Sequence, residues 1–180
     1  MANIAIPDSF AETPLAYVQS LSPSLVNSLF ALATAVYRKS QLTHREFEAA
    51  RVRIAQINGC LACRDFRSET DVPAYLASIG IGPDEGIHLN GPAPDEAFYR
   101  DIVAWRTAPH YNERERLVIE FAEGFACEPD MQGYDEAFWA RMRSAFSNAE
   151  ICDLVVATGY FVAAGRFMHV LGLDQVTCAV

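Results

Sequence analysis

Two of the five cysteines, Cys60 and Cys63, stand three residues apart in Ile57-Asn58-Gly59-Cys60-Leu61-Ala62-Cys63-Arg64-Asp65-Phe66-Arg67. If the backbone after Asn58-Gly59 is helical, both sulfurs fall on one face of its first turn, close enough to pair. The unbonded N–H groups of that turn carry partial positive charge and stabilise a thiolate, the nucleophilic form of cysteine. Arg64 and Arg67 follow, and Arg67, at i+4 from Cys63, places a permanent cation on the same side. The pattern points to reversible oxidation. A zinc site would need two further ligands at matching spacing, and Cys127, Cys152 and Cys178 form no second C-x-x-C, so no metal is expected. Inert core cysteines are common, but Asn58, Gly59, Arg64, Asp65 and Arg67 mark a polar helix start instead.

A thiol that cycles also needs a group to move protons. Glu48 lies twelve positions before Cys60, which on one unbroken helix is a separation of about 18 Å, too far for a relay. A turn at Asn58-Gly59 that folds the cysteine helix back would bring Glu48 into range. Without that turn Glu48 is a solvated helix charge.

The elements that must position these residues read as helices. Residues 1–21 hold Pro7 and Pro14 without a sustained period and read as an extended arm. From Ser22-Pro23, apolar residues recur at helical spacing through Leu25, Leu29, Leu32, Ala33 and Val36. Thr43-His44-Arg45-Glu46 has capping-box spacing, and Phe47, Ala50, Ile54 and Ile57 follow until Asn58-Gly59 stops the helix. The cysteine helix is expected from about Cys60 to Glu69, ending before Val72-Pro73 because a residue preceding proline avoids helical geometry. Residues 73–94 are rich in proline and glycine, with only a short turn expected around Tyr75 to Ile79. Helices resume at Asp95 to Trp105, after Asn112-Glu113-Arg114-Glu115, over Tyr134 to Phe146, and after Ser147-Asn148-Ala149-Glu150 through Ile151 to Leu171. No period-2 segment competes, so the fold class is all-α, in one domain over residues 1–180.

Composition narrows the function. Fourteen lysines and arginines against 23 acidic residues give a net charge of −9, which disfavours nucleic acid and anionic membranes as partners. The start lacks a secretory pattern, which with the odd cysteine number suggests the cytoplasm. The apolar run Leu154 to Gly165 is about 12 residues, short of the roughly 20 needed to cross a bilayer, and reads as a buried helix.

The block Glu48…Arg53-Ile54-Ala55-Gln56-Ile57-Asn58-Gly59-Cys60-Leu61-Ala62-Cys63 resembles the carboxymuconolactone decarboxylase-like superfamily and, within it, the alkyl hydroperoxidase D (AhpD) branch. The segments Asn112 to Arg116, Phe146 to Ile151, Tyr160-Phe161 and Arg166 are similar in style to the helices that follow the motif in relatives. The resemblance implies a helical subunit assembled as trimers or hexamers, with thiol peroxidase or disulfide reductase chemistry and no cofactor. It also implies that Cys63 attacks peroxide and Cys60 resolves the disulfide, whereas the helix terminus by itself favours Cys60. The sequence departs from the family where Arg67 replaces a histidine four residues after the second cysteine and where Ala62 stands between the cysteines. Arginine cannot shuttle protons near neutral pH. His44, His88, His110 and His169 are then the candidate donors, although a histidine such as His169 on an apolar helix is more often structural.

Three functions compete. The first is a peroxidase using Cys63, Cys60 and Glu48, with a hydroperoxide substrate and a dithiol or protein reductant. The second is a lyase or decarboxylase on a small carboxylated ring compound, with Arg53, Arg67 or Arg166 binding the carboxylate and Glu48 moving a proton. The third is a noncatalytic redox sensor with Cys127, Cys152 and Cys178 as bystanders. Tyr160, Phe161 and Arg166 could line a substrate pocket, or sit in an oligomer-core helix dominated by Val155, Val156, Val162 and Val170.

Overall fold

The helix-start signals set the architecture. In the computed structural model, which describes residues 2–174, three predicted capping boxes are formed, at Thr43/Glu46, Asn112/Glu115 and Ser147/Glu150. In each, a side-chain oxygen accepts the N3 backbone N–H and the glutamate returns to the N-cap N–H, so two unpaired donors are satisfied together. The described residues form ten α-helices and no strand: α1 (Pro14–Leu21), α2 (Pro23–Lys39), α3 (His44–Asn58), α4 (Leu61–Asp65), α5 (Ser68–Ser78), α6 (Glu96–Asp101), α7 (Glu113–Cys127), α8 (Pro129–Tyr134), α9 (Glu136–Ala145) and α10 (Asn148–Val170). The all-α expectation holds.

Helix α3 is the centre, packed on α7 along one side and on α10 along another, with α2 against α10. Phe47, Ala49, Ala50 and Ile54 of α3 are fully buried, as are Val118 and Ile119 of α7 and Leu154 of α10. Phe47 meets Tyr37 and Phe161 edge-on, with ring centroids 4.9 and 5.1 Å apart, which suits the aromatic quadrupole. The starts of α3 and α7 are cross-bolted. Arg45 of α3 pairs with the capping Glu115 of α7 at 2.6 Å, and Arg114 of α7 pairs with the capping Glu46 of α3 at 2.5 Å. Arg114 also reaches Glu150, the capping residue of α10, at 2.7 Å. Both Glu46 and Glu115 are buried, so each depends on its arginine.

Several expectations are corrected. The expected extended arm over residues 1–21 is helical in its latter part: Asp8–Phe10 is a 3-10 turn and Pro14 opens α1, whose Val18 is buried. Proline at a first helical position costs no hydrogen bond. The expected cysteine helix over 60–69 is two elements, because Phe66 and Arg67 are extended between α4 and α5. Helix α5 then runs through Val72-Pro73, since Ser68, Val72 and Leu76 bury one stripe while Pro73 faces solvent. The segment expected as one helix from Tyr134 is broken at Asp135, which accepts Phe138 N–H and caps α9. Helix α10 has 23 residues, long and apolar enough to cross a membrane by length and composition. Packing on α3 and α2 buries one face of it, through Leu154, Ala157, Tyr160 and Phe161, and leaves Val155, Val156 and Val170 exposed.

Two stability predictions follow from the helix starts. Arg114→Ala strands the carboxylates of Glu46 and Glu150, and urea unfolding should register a loss of about 3 kcal/mol or more. Burial alone would raise the Glu150 carboxyl, but hydrogen bonds from Arg114 and Ser147 outweigh it and hold the pKa below 4.5. A depressed acid stabilises the fold above its unfolded value and loses that contribution as pH falls through the folded one. The acid-side loss below about pH 4.5 should therefore be shallower in Arg114→Ala than in the wild type. His44 is buried at the start of α3, and burial pulls its pKa below 6.5, outweighing the nearby Glu48 charge and the Gly91 backbone, which act the other way. Folding thus favours the neutral ring, a contribution intact above pH 6.5 and lost as pH falls through the folded value. His44→Gln should flatten the fall in urea midpoint below about pH 6.5.

Candidate active site

The site begins where α3 stops. Gly59 adopts φ 72°, the left-handed region that favours glycine, and a Cβ there would lie 3.2 Å from His169 Nε2. The preceding Asn58 is buried and donates to the Phe161 carbonyl at 3.0 Å, while its side-chain oxygen accepts Arg166 Nε at 3.1 Å. A side chain at Gly165 would collide with that amide, so glycine there lets α10 press on the end of α3. Cys60 follows as the N-cap of α4, its sulfur accepting the Cys63 N–H at 3.3 Å. Cys60 and Cys63 are joined as a disulfide. The two sulfurs differ in access, since Cys60 is fully buried and Cys63 is partly exposed.

The turn at Gly59 folds α4 back along α3, the condition on which Glu48 could serve the cysteines. The link is made by Arg51, a residue the sequence reading passed over. Its Nε and Nη2 donate to the two oxygens of Glu48 at 2.7 and 2.8 Å, and its Nη1 and Nη2 donate to the carbonyls of Cys63 and Phe66 at 2.7 and 3.0 Å. Tyr99 Oη donates to Glu48 at 3.0 Å and accepts the Ser68 N–H at 3.0 Å. Glu48 is wholly enclosed and both its oxygens are occupied, so the carboxylate is a fixed anchor. Burial would lower the Arg51 pKa, but the Glu48 charge and hydrogen bonds outweigh it and hold the guanidinium charged. Burial, reinforced by Glu48, pushes Tyr99 up to about 12. The i,i+3 spacing of Glu48 and Arg51 on one helix was the available signal.

Cys63 opens onto a cavity of about 480 Å³ whose other lining residues include Arg51, Phe66, Tyr37, Tyr75, Tyr160, Phe161 and Met168. The walls are largely apolar and aromatic. Tyr75 stacks edge-on against Phe66 at 5.9 Å and Tyr37 at 4.9 Å, and its hydroxyl lies 3.5 Å from that of Tyr160. Burial raises the pKa of both Tyr75 and Tyr160, so both phenols keep their protons. Tyr160 and Phe161 were read as candidate pocket residues, and both line the cavity.

The three arginines singled out from sequence lie elsewhere. Arg67 does not extend the Cys63 face, because α4 ends at Asp65 and the extended backbone turns it away. Its Nε pairs with Glu96 at 2.8 Å and its guanidinium lies 4.5 Å from the centroid of the Tyr99 ring. Arg53 pairs with Glu123 at 2.6 Å, and the exposed Arg166 is spent on Asn58 and the Ala126 carbonyl. Among the described residues no histidine lines the cavity. His169 packs on Gly59 and pairs through Nδ1 with Asp174 at 2.9 Å, and the same Asp174 oxygen accepts the Leu61 N–H at 3.0 Å. This network tethers the region after α10 to the start of α4. Cys127 and Cys152 are free and exposed, and Cys178 lies outside the described residues.

No family model matches the chain, and no curated protein does. Solved structures do. A protein of unknown function from Agrobacterium tumefaciens, provisionally named an antioxidant defence protein AhpD, superposes with a TM-score of 0.64 at 22% identity, covering 86% of this chain and 92% of that one. An uncharacterized peroxidase-related protein from Silicibacter sp. TM1040 gives 0.60 at 22% identity over 88% and 74%. An uncharacterized peroxidase-related protein from Ralstonia eutropha JMP134, described as an alkylhydroperoxidase AhpD core, gives 0.61 at 17% identity over 97% and 94%. The helices, the turn at Gly59 and the cysteine pair thus stand on an all-helical fold shared with these AhpD-like structures.

Proposed function

We propose that this chain is a thiol-dependent oxidoreductase that reduces hydroperoxides through the Cys60–Cys63 pair. The observation that carries the reading is the asymmetry of the pair: Cys63 faces an aromatic cavity while Cys60 is buried behind it. In the reduced protein the Cys63 thiolate attacks the terminal peroxide oxygen, the O–O bond breaks, and Cys63 becomes a sulfenic acid. The Cys60 thiol condenses with it, releasing water and forming the disulfide. A dithiol donor then attacks at Cys63, the sulfur within reach, and restores both thiols. The names of the AhpD-like structures agree with this chemistry. A cytoplasmic setting suits it, because dithiol donors keep such a pair cycling there.

In this reading Glu48 and Arg51 are positioning residues that fix the main chain of the cysteine turn. We assign Arg53, Arg67 and Arg166 no part in the chemistry, because each is engaged away from the cavity. The lyase alternative has no observation to favour it. Assembly with further copies of the chain, as a trimer or hexamer, is part of the proposal: Val155 and Val156 of α10 and Leu25 and Leu32 of α2 are exposed apolar residues that a second copy would cover.

Peroxide consumption with dihydrolipoamide as reductant tests the proposal. Wild-type protein should turn over and lose two thiols per subunit on oxidation. Cys63→Ser should abolish both, and Cys60→Ser should stop at a sulfenic acid that dimedone traps. Stoichiometric disulfide formation without turnover would favour the redox sensor, and failure of the thiols to react would sink both readings. The anchor has its own test. Arg51→Met or Glu48→Gln alone should each lose about 3–5 kcal/mol in urea unfolding, because the partner charge is left buried, and the double variant should recover much of that loss.

A further inference from the structure

Peroxide cleavage by Cys63 leaves an alkoxide, and the cavity must supply its proton. This requirement rests on the peroxidase reading above. An alcohol is about as weak an acid as water, so the naked alkoxide is a poor leaving group at neutral pH. The family histidine that could supply a proton is Arg67 here, and its side chain is turned away onto Tyr99 and Glu96. Of the carboxylates in the lining, Asp71 accepts the Arg67 N–H at 2.7 Å and the Thr70 hydroxyl at 3.0 Å, which occupies both its oxygens. Arg51 is held protonated by Glu48 and stays so. The neutral O–H groups in the lining belong to tyrosines, and two of them stand together: the hydroxyls of Tyr75 and Tyr160 are 3.5 Å apart on α5 and α10.

We propose that Tyr75 and Tyr160 form the general acid of this site, protonating the alkoxide as the Cys63 thiolate breaks the O–O bond. The balance closes. The sulfur takes the terminal OH to become the sulfenic acid, the O–O electron pair leaves with the alkoxide oxygen, and one phenol transfers its proton there to give the alcohol. The phenolate left behind accepts a hydrogen bond from the other phenol and regains its proton from water at the cavity mouth. A phenol, with an ordinary pKa near 10, is a stronger acid than the alcohol formed, and burial, which raises both hydroxyls and Tyr160 strongly, narrows that margin. Pairing two phenols lets either act, so the double variant is the decisive one.

The test varies the leaving group. Reduced wild type and Tyr75→Phe/Tyr160→Phe are mixed in single turnover with tert-butyl hydroperoxide, with peracetic acid, and with iodoacetamide. The first expels an alkoxide, while the other two expel acetate and iodide, which need no proton. The double variant should slow about a hundredfold with tert-butyl hydroperoxide, at the low end of general-acid effects, and stay within about twofold of wild type with the other two reagents. A parallel fall with all three reagents means that the tyrosines only shape the thiol's surroundings, and an unchanged rate with tert-butyl hydroperoxide means that the acid is elsewhere. Either result overturns the assignment. If wild type reacts with peracetic acid and iodoacetamide but not with tert-butyl hydroperoxide, the peroxidase reading itself has failed.

Discussion

The site depends on one buried ion pair. Arg51 holds Glu48 through two hydrogen bonds and donates two more to the carbonyls of Cys63 and Phe66. An enclosed carboxylate beside an enclosed guanidinium is tolerable only because every hydrogen-bonding group of the carboxylate is matched, with Tyr99 completing the set. Without the pair, α4 would be a five-residue helix with little core of its own, too short to hold a shape in water. With it, the cysteine turn is referenced to α3, the most buried helix of the fold, and Cys63 is presented to the cavity wall formed by α5 and α10.

Much of the scaffold is local information. Thr43/Glu46, Asn112/Glu115 and Ser147/Glu150 are four-residue signals whose physics is complete within about one helical turn, so they were legible without tertiary knowledge. The same holds for Gly59, where an apolar period ends on a residue able to take a left-handed backbone. The second use of these motifs was not legible. Arg45 and Arg114 occupy equivalent places in their capping boxes and exchange partners between α3 and α7, a relation that exists only once the helices lie side by side.

The candidate site divides along the same line. The cysteine pair and Glu48 announced themselves by spacing, and Tyr160 and Phe161 by their place in the last helix. Arg67 misled because i+4 implies a shared face only while the helix continues, and Phe66 and Arg67 are extended. Val72-Pro73 misled in the opposite sense: burial of Val72 and Leu76 outweighed the proline's dislike of a helix interior, and α5 grew long enough to carry Tyr75 into the cavity. Tyr75 and Tyr99 sit in segments with weak periodicity, and what gives them chemistry is a neighbour 85 or 51 residues away in sequence.

The choice of main-chain carbonyls as Arg51's acceptors bears on how readily the site can change state. Those oxygens carry the same partial charge whether the sulfurs are joined or free, so the hydrogen bonds that locate the turn do not have to be broken and remade as electrons move through the pair. Only the sulfurs and the side chains facing them must adjust. In the proposed redox cycle the scaffold would act as a mould indifferent to oxidation state, with the reorganisation confined to a few atoms.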